Sequence, residues 1–545
     1  MTGELAGGGF SFRPVLSVRQ VRSGIIKFFL AAFLLVTVIF PLVTMLTNMT
    51  ASDIAGVVAL PKFRESLFNS MYAAAASTLI SIALAYAFAL CTVRTNMRYR
   101  EVISVFITMP MLIPSISQGM GLVLLFGANG IITRFLGLEH SIYGFGGIVT
   151  GSVLYAFPVA FLMLADILKY EDGSPYEAAA VLGVPRLHQF FSITFPYLRR
   201  PLISVVFATF TLIFTDYGIP LMIGGRFTTL PVLMYQEVIG LLNFSRGSVI
   251  GSFLLVPAVI AFLFDILNKD RGNQNFVVQG KEKKKNAVRD GAAFVYCAII
   301  CAAIALPVVV FSVLTFVTAY PVDTSFSFVN IEKTLRMGAG KYLVNSLLVA
   351  LGTASLGTAL SYIIAYFTAR TPGKSSKVLH LVSITSLAIP GLVLGLSYVL
   401  FFKGSFIYGT LAMLILVNTI HFLASPYLMA YNSLGKLNMN LEDVGRTLGV
   451  PRFSILRDVL VPQTKLTIIE MFSYFFVNSM MTISAVSFLS TVYNKPVSLL
   501  MTEFEVQMHI EGSAFVSLLI LGCNFMLKFL VYGLKRRFKA AGNRG

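Results

Sequence analysis

Twelve stretches of this chain run apolar for about twenty residues or more, the length at which a helix crosses a hydrocarbon core of about 30 Å. They cover about 24–47, 66–93, 103–127, 147–168, 200–223, 247–267, 291–318, 342–369, 379–402, 407–431, 466–489 and 512–534. In lipid every backbone N–H and C=O must be satisfied within its own segment, so runs of this kind are predicted helices. Only 12% of the 545 residues are charged and 56% are hydrophobic. Soluble domains carry about 25% charged residues, so a soluble enzyme is excluded. The expected fold class is an all-α polytopic membrane protein.

The formal charge of +18 would suggest nucleic acid as the partner of a soluble chain. Here the cations follow the positive-inside rule. With the N-terminus placed inside, Arg13, Arg19 and Arg22 precede the first run, and Arg94, Arg98 and Arg100 follow the second. Lys281, Lys283, Lys284, Lys285 and Arg289 fill the segment between the sixth and seventh, and Lys535, Arg536, Arg537 and Lys539 follow the last. The surplus charge is read as topological, the partner as the lipid bilayer, and both termini as inside. No cleavable leader pattern precedes the first run, so that span is expected to be retained. The four cysteines show neither disulfide nor metal spacing.

The chain also repeats itself. Asn69-Ser70 and Arg94 bracket the second run as Asn345-Ser346 and Arg370 bracket the eighth, at an offset of 276 that also carries Pro114 to Pro390. An offset of 266 then carries Gly183-Val184-Pro185-Arg186 onto Gly449-Val450-Pro451-Arg452 and Pro196 onto Pro462. Six spans per half is an even number, so the repeats are parallel, related by an axis along the membrane normal. The expected division is 1–267 and 291–545, joined by a basic inside linker at 268–290.

One inside loop is patterned in both halves. In 174–196, Ser174 is a candidate N-cap, Pro175 suits the first helical position and Glu177 completes a capping box. Gly183 then permits the left-handed residue that stops a short helix. In 440–462, Asn440 is the candidate cap, Asp443 stands where Glu177 stood and Gly449 is the stop. Each loop is predicted to be a short rigid helix, a sharp turn and a second helix.

These loops resemble the "EAA" coupling loop of ATP-binding-cassette importer permeases: Glu-Ala-Ala, three residues, Gly, and Pro thirteen residues further on. Glu177, Ala178, Ala179, Gly183 and Pro196 match it fully. The second copy departs, with Asp443-Val444-Gly445 in place of Glu-Ala-Ala, while Gly449 and Pro462 remain. The resemblance implies the type I importer permease fold with both permease domains fused in one chain. It also implies a bacterial inner-membrane location, a homodimeric ATPase docked on the cytoplasmic loops and an extracytoplasmic solute-binding protein. Gly373-Lys374-Ser375 looks like the end of a phosphate-binding loop, but Thr368 stands where its leading Gly should be. No cofactor is therefore expected in this chain; ATP and Mg would sit on the partner ATPase.

Polar residues inside spans are candidates for the solute path. Asp216 lies about 16 residues, or roughly 24 Å, from the inner end of its run. Its counterpart is Thr482, with Asn478 and Ser484 nearby. Asp216 is equally suited to capping a helix end. Glu470 is expected near the inner interface, and Asp166 and His421 are expected to serve packing or surface solvation. No cluster has metal, nucleophile–base or paired-carboxylate spacing. The wording around Asp216 and 482–488 resembles fused permeases for 2-aminoethylphosphonate and, less closely, ferric iron; thiamine permeases are the alternative. An ion-coupled secondary transporter is the remote one, predicting an intramembrane ion relay instead of docking loops.

Overall fold

The computed structural model describes residues 18–137, 142–268, 286–371, 373–438, 440–507 and 509–542. Arg13 and 269–285, most of the expected linker, lie outside them. Among the described residues, nine helices are long and apolar enough to cross a membrane. Two bent pairs bring the number to eleven: Lys374–Ala388 with Gly391–Phe402, at 110°, and Leu411–His421 with Ala424–Gly435, at 54°. The remaining run, 466–489, is helical over Lys465–Met481 and leaves helical geometry at Thr482.

The breaks have local causes. Proline pushes its preceding residue out of the helical region, and Ile113 (φ −125°, ψ 149°) and Ile389 (φ −105°, ψ 111°) are extended ahead of Pro114 and Pro390. New helices, Ser115–Phe126 and Gly391–Phe402, start immediately beyond. The predicted span 200–223 likewise divides into Phe195–Phe214 and a short Gly218–Ile223.

The two sequence halves interlock. Helix Val18–Leu34, at the start of the first half, packs on the second: Lys27 Nζ donates to the Thr371 carbonyl at 2.9 Å and to Ser376 Oγ at 2.8 Å. Tyr398 donates to the carbonyl of Thr37, in the next turn, at 2.7 Å. Helix Ala287–Leu314, which opens the second half, packs on the first, where Tyr296 donates to the Leu84 carbonyl at 3.0 Å. The last helix, Ile510–Gly542, crosses back as well, through Asn524 Nδ2 to the Leu112 carbonyl at 2.9 Å. The largest buried core contains residues of both halves.

The face carrying 174–196 and 440–462 is termed here the loop face, and the opposite one the far face. A small antiparallel hairpin, Val317–Ala319 with Asp323–Phe326, follows the seventh span on the far face. The predicted run 291–318 overlaps its first strand, because the helix ends at Leu314 and the chain is already extended at Val317.

Candidate functional site

Each patterned loop folds as a short helix and a sharp turn. Ser174–Val181 and Asn440–Thr447 are the helices. Gly183 (φ +68°) and Gly449 (φ +72°) take the left-handed conformation that ends them. Beyond each glycine a backbone N–H reaches back five residues, Val184 to the Ala179 carbonyl at 2.9 Å and Val450 to the Gly445 carbonyl at 2.8 Å. This pairing satisfies a carbonyl that the helix end would otherwise orphan. A side chain with a Cβ in this conformation costs about 1–2 kcal/mol. Pro196 and Pro462 each follow one wide, five-residue helical turn, 190–194 and 456–460, because proline has no N–H to continue the ordinary ladder.

The N-terminal caps differ from the expectation. Ser174 is the first helical residue rather than the cap, and Gly173 occupies the cap position without a side-chain bond. Asp172 instead accepts from the Ser174 N–H at 3.0 Å and its hydroxyl at 2.8 Å. Those two donors hold the Asp172 carboxyl below the usual carboxylate range. Asn438, at the matching place, accepts from the Asn440 N–H at 2.9 Å, so Asn440 is not the cap either. The side chain two residues earlier reaches the first N–H more directly, which leaves Glu177 and Asp443 exposed.

The departure of the second loop from Glu-Ala-Ala has a packing reason. A Cβ on Gly445 would collide with the Ile455 side chain. In the first loop the matching pair is Ala179, buried, and Gln189, whose amide donates to the Val184 carbonyl at 2.8 Å. A methyl group on one side is exchanged for a larger apolar side chain on the other.

Both loops are gripped by an arginine from the end of a span. Arg94, the last residue of Pro61–Arg94, pairs with Glu171 and donates to Tyr176 Oη at 3.3 Å. Tyr176 also bonds Glu171, and Thr194 Oγ1 at 2.6 Å. Arg370, the last residue of Ala339–Arg370, donates through Nε to Glu442 Oε1 at 2.6 Å. It also donates to the carbonyls of Leu437 and Asn438, both at 2.7 Å. The Arg370 side chain is 0% exposed. The carboxylate has changed place between halves, since Glu442 stands where Tyr176 stands. The sequence places both arginines at the same end of the repeated span, but the carboxylates they grip, Glu171 and Glu442, do not stand at matching positions, so the pairing itself is not visible in the repeat.

Between the halves lies a cavity of about 840 Å³. Asp216, Asn478, Thr482 and Ser484 all line it. Asp216 Oδ1 accepts from Ser115 Oγ at 2.6 Å and Oδ2 from the Ile219 N–H at 3.0 Å, so the carboxylate caps Gly218–Ile223 while bordering the cavity. A Cβ on Gly218 would collide with Ser115 Oγ, and one on Gly391 with Ser484 Oγ. Ser115 matches Gly391 and Gly218 matches Ser484, so each crossing keeps one hydroxyl and one glycine, with sides exchanged. Asn478 Nδ2 donates to the Tyr474 carbonyl at 2.8 Å.

Other wall residues come from separate spans: Tyr155, Ser386, His421, Tyr474 and Lys528. His421, expected to serve helix packing or surface solvation, lies on the cavity wall, and its Nδ1 has no hydrogen-bond partner among the described residues. Glu470 pairs with Lys535, and Asp166 is exposed near the end of Phe145–Lys169. On the far side, Tyr217 and Ser487 bond across the halves at 2.8 Å, beside Tyr235, which stacks on Tyr217 at 5.3 Å.

Comparison with known proteins assigns the class. The sequence profile of the binding-protein-dependent transport system inner membrane component matches twice, over 77–270 and 357–540. The chain belongs to that family, as a fused two-domain permease of the type I ATP-binding-cassette importers. It is 26% identical to the ferric transport system permease protein FbpB of Actinobacillus pleuropneumoniae, over 78% of this chain and 64% of that protein. It is also 26% identical to the putative ferric transport system permease protein FbpB 1 of Haemophilus influenzae, over 78% and 70%. With the thiamine transport system permease protein ThiP of Escherichia coli it shares 24% identity, over 72% and 74%. The match thus spans only about two thirds of the ferric relatives' length.

Proposed function

We propose that this chain is the membrane permease of a binding-protein-dependent, ATP-driven importer, with both halves of the path in one polypeptide. The observation that carries this reading is the repeated loop. Two short helices on one face each end at a left-handed glycine, are gripped by a buried or half-buried arginine and present an exposed leucine, Leu182 at 79% and Leu448 at 73%. Val181 and Leu187 in the first loop, and Val444 and Phe453 in the second, are exposed as well, and clustered apolar surface of this kind suits a protein interface. The partner is a homodimeric ATPase that would hold ATP and Mg²⁺, with Glu177, Ala178, Ala179, Gly183 and Pro196 at one contact and Asp443, Gly445, Gly449 and Pro462 at the other.

On this reading the loop face is cytoplasmic, with both termini and the 268–290 linker, and the membrane is a bacterial inner membrane. A solute-binding protein delivers to the far face. Asp216, Asn478, Thr482 and Ser484 line the path, and alternating access opens it to one side at a time.

For the solute we propose ferric iron. Asp216 and the hydroxyl-rich wall offer oxygen ligands, which suit hard cations. Lys528 favours a second reading, 2-aminoethylphosphonate, whose ammonium would face Asp216 and whose phosphonate would face the lysine. Thiamine, a cation, is the remaining candidate.

The test is reconstitution in liposomes with an ATP-binding-cassette ATPase and a solute-binding protein of this importer class from the same organism, assaying iron, 2-aminoethylphosphonate and thiamine separately. ATP-dependent uptake of one solute, abolished by omitting either partner, is the expected result. Uptake driven by an ion gradient without an ATPase would instead make the protein a secondary transporter.

A further inference from the structure

Each half contains one long helix held by side-chain hydrogen bonds at both ends. At the loop face, Arg94 and Arg370 are the terminal residues of Pro61–Arg94 and Ala339–Arg370 and grip the two loops. At the far face, Asn69 Nδ2 donates to the Thr228 carbonyl at 3.1 Å, and Ser70 Oγ accepts from the Leu230 N–H at 2.7 Å. The second half repeats this. Asn345 Nδ2 donates to the carbonyls of Tyr493 and Lys495, both at 3.1 Å, and Ser346 Oγ accepts from the Val497 N–H at 2.7 Å. The segments so held, 228–230 and 493–497, follow the broken spans joined by the Tyr217–Ser487 bond, which on the importer reading is the far-face seal.

Ser70 to Arg94 and Ser346 to Arg370 are equal distances, about 36 Å at 1.5 Å per residue. Neither helix has a proline beyond its first turn, whereas Phe145–Lys169, Phe195–Phe214, Phe244–Asn268 and Ala287–Leu314 each contain one inside. Mid-length, the buried hydroxyls of Ser77 and Ser81, and of Thr358 and Ser361, make no hydrogen bond among the described residues. Tyr296 to the Leu84 carbonyl at 3.0 Å and Tyr362 to Thr464 Oγ1 at 2.7 Å tie each helix to a neighbour on its loop-face half. Between those ties and the far-face bonds, small side chains without polar partners let packed helices slide by small steps, the shear mode of conformational change.

We infer that Arg94 with Asn69 and Ser70, and Arg370 with Asn345 and Ser346, are positioning residues that make these two helices rods, through which displacement of a docked loop reaches the segments closing the far face. The inference rests on the importer reading. It adds the physical link between the ATPase contact and the seal, and it explains why the polar pair and the arginine recur at the same spacing in both halves.

Spin labels on the assembled complex test this without touching either clamp. Lys436 is exposed beside the Arg370 partners, Val492 beside the Asn345 partners, and Arg226 is exposed at the matching place in the first half. Between nucleotide-free and ATP-trapped states, the Lys436–Val492 distance should stay constant while Arg226–Val492, across the halves, lengthens. A change in Lys436–Val492 as large as that in Arg226–Val492, or no change in Arg226–Val492, overturns the rod. In a second arm, Asn345→Ala with Ser346→Ala should lower solute taken up per ATP hydrolysed by about fivefold or more, the usual lower range of allosteric coupling. Restoring the hydroxyl as Ser346→Thr should recover part of it. An unchanged ratio in an assembled double variant also overturns the proposal, and if that variant does not assemble the label distances decide. Absence of any ATP-driven uptake in the wild-type complex would be a failure of the importer reading, not of the rod.

Discussion

Tyr217 donates its phenolic proton to Ser487, joining the two halves where their broken spans meet. The direction follows from proton counting. The Ser487 hydroxyl donates to the Ile483 carbonyl at 2.5 Å, so its only proton is used, and the 2.8 Å contact with Tyr217 must run the other way. Both residues are buried. Tyr217→Phe would leave the ring and its stacking on Tyr235 in place and remove only the link. A buried hydrogen bond contributes about 1 kcal/mol net, so the expected change is a several-fold rise in ATP hydrolysis without binding protein, with assembly intact. A label-accessible cysteine at 484, read from the far face, should report the same loosening.

Gly183→Val and Gly449→Val should each strain a left-handed turn by about 1–2 kcal/mol and misplace the helix before it. Expression should persist while solute-stimulated ATP hydrolysis falls. The first loop, which keeps Glu177, Ala178 and Ala179, should be the more sensitive. Wild-type uptake and hydrolysis in both variants would reduce these loops to connectors.

Gly445→Ala alone should clash with Ile455 and lower thermal stability of the complex. Combined with Ile455→Ala, which removes the obstructing atoms, it should recover most of the loss. Recovery is read as non-additivity in a double-mutant cycle, and simple addition of the two losses would show that the collision is relieved elsewhere.

Asp216→Asn turns one of two acceptor oxygens into an N–H donor. With the amide oxygen accepting from the Ile219 N–H, Nδ2 must donate to Ser115 Oγ, and the Ser115 proton loses its acceptor. Loss of a capping acceptor costs about 0.5–2 kcal/mol, so a modest fall in thermal stability is expected. A role in solute passage predicts more than that: uptake per assembled complex should fall as well. Unchanged uptake per complex would leave Asp216 as a cap alone.

Asp53, on the far-face helix Ala51–Ala59, accepts from Ser245 Oγ at 2.6 Å, from the Thr50 N–H at 2.9 Å and from the Thr50 hydroxyl at 2.7 Å. The Ser245 bond first, then those to Thr50, hold its carboxyl at about 2, below an unfolded value of about 3.9. Its contribution to stability is therefore fully present above about pH 4 and is lost as pH falls towards 2. Asp53→Asn should remove that part of the acid dependence, measured as thermal stability of the detergent-solubilised chain between pH 5 and pH 2.

The loops were legible because their geometry is set locally, by a glycine that must turn left-handed and a proline that lacks an N–H. Their true caps, Asp172 and Asn438, lie outside the Ser-x-x-Glu pattern and so escaped it. Arg94 and Arg370 were visible as cations, but sequence alone does not separate a cation in solvent from one turned inward onto a carboxylate. His421, Tyr155 and Lys528 reach one cavity from three different spans, a proximity created by packing between helices. The breaks ahead of Pro114 and Pro390 were implicit in the prolines, whereas the unwinding at Thr482 has no such marker.

The wall that carries Asp216 has no twin, because Thr482 occupies the matching place in the other half. Two identical subunits around this chamber would set a pair of carboxylates against each other, and mutual repulsion would drive one of them to take up a proton. Joining the halves in one polypeptide lifts that mirror constraint. If the chamber is the proposed solute path, a cargo entering it would meet a carboxyl group on one flank and a hydroxyl on the other, which would give a polar cargo a preferred heading. A symmetric vestibule would offer two equivalent headings.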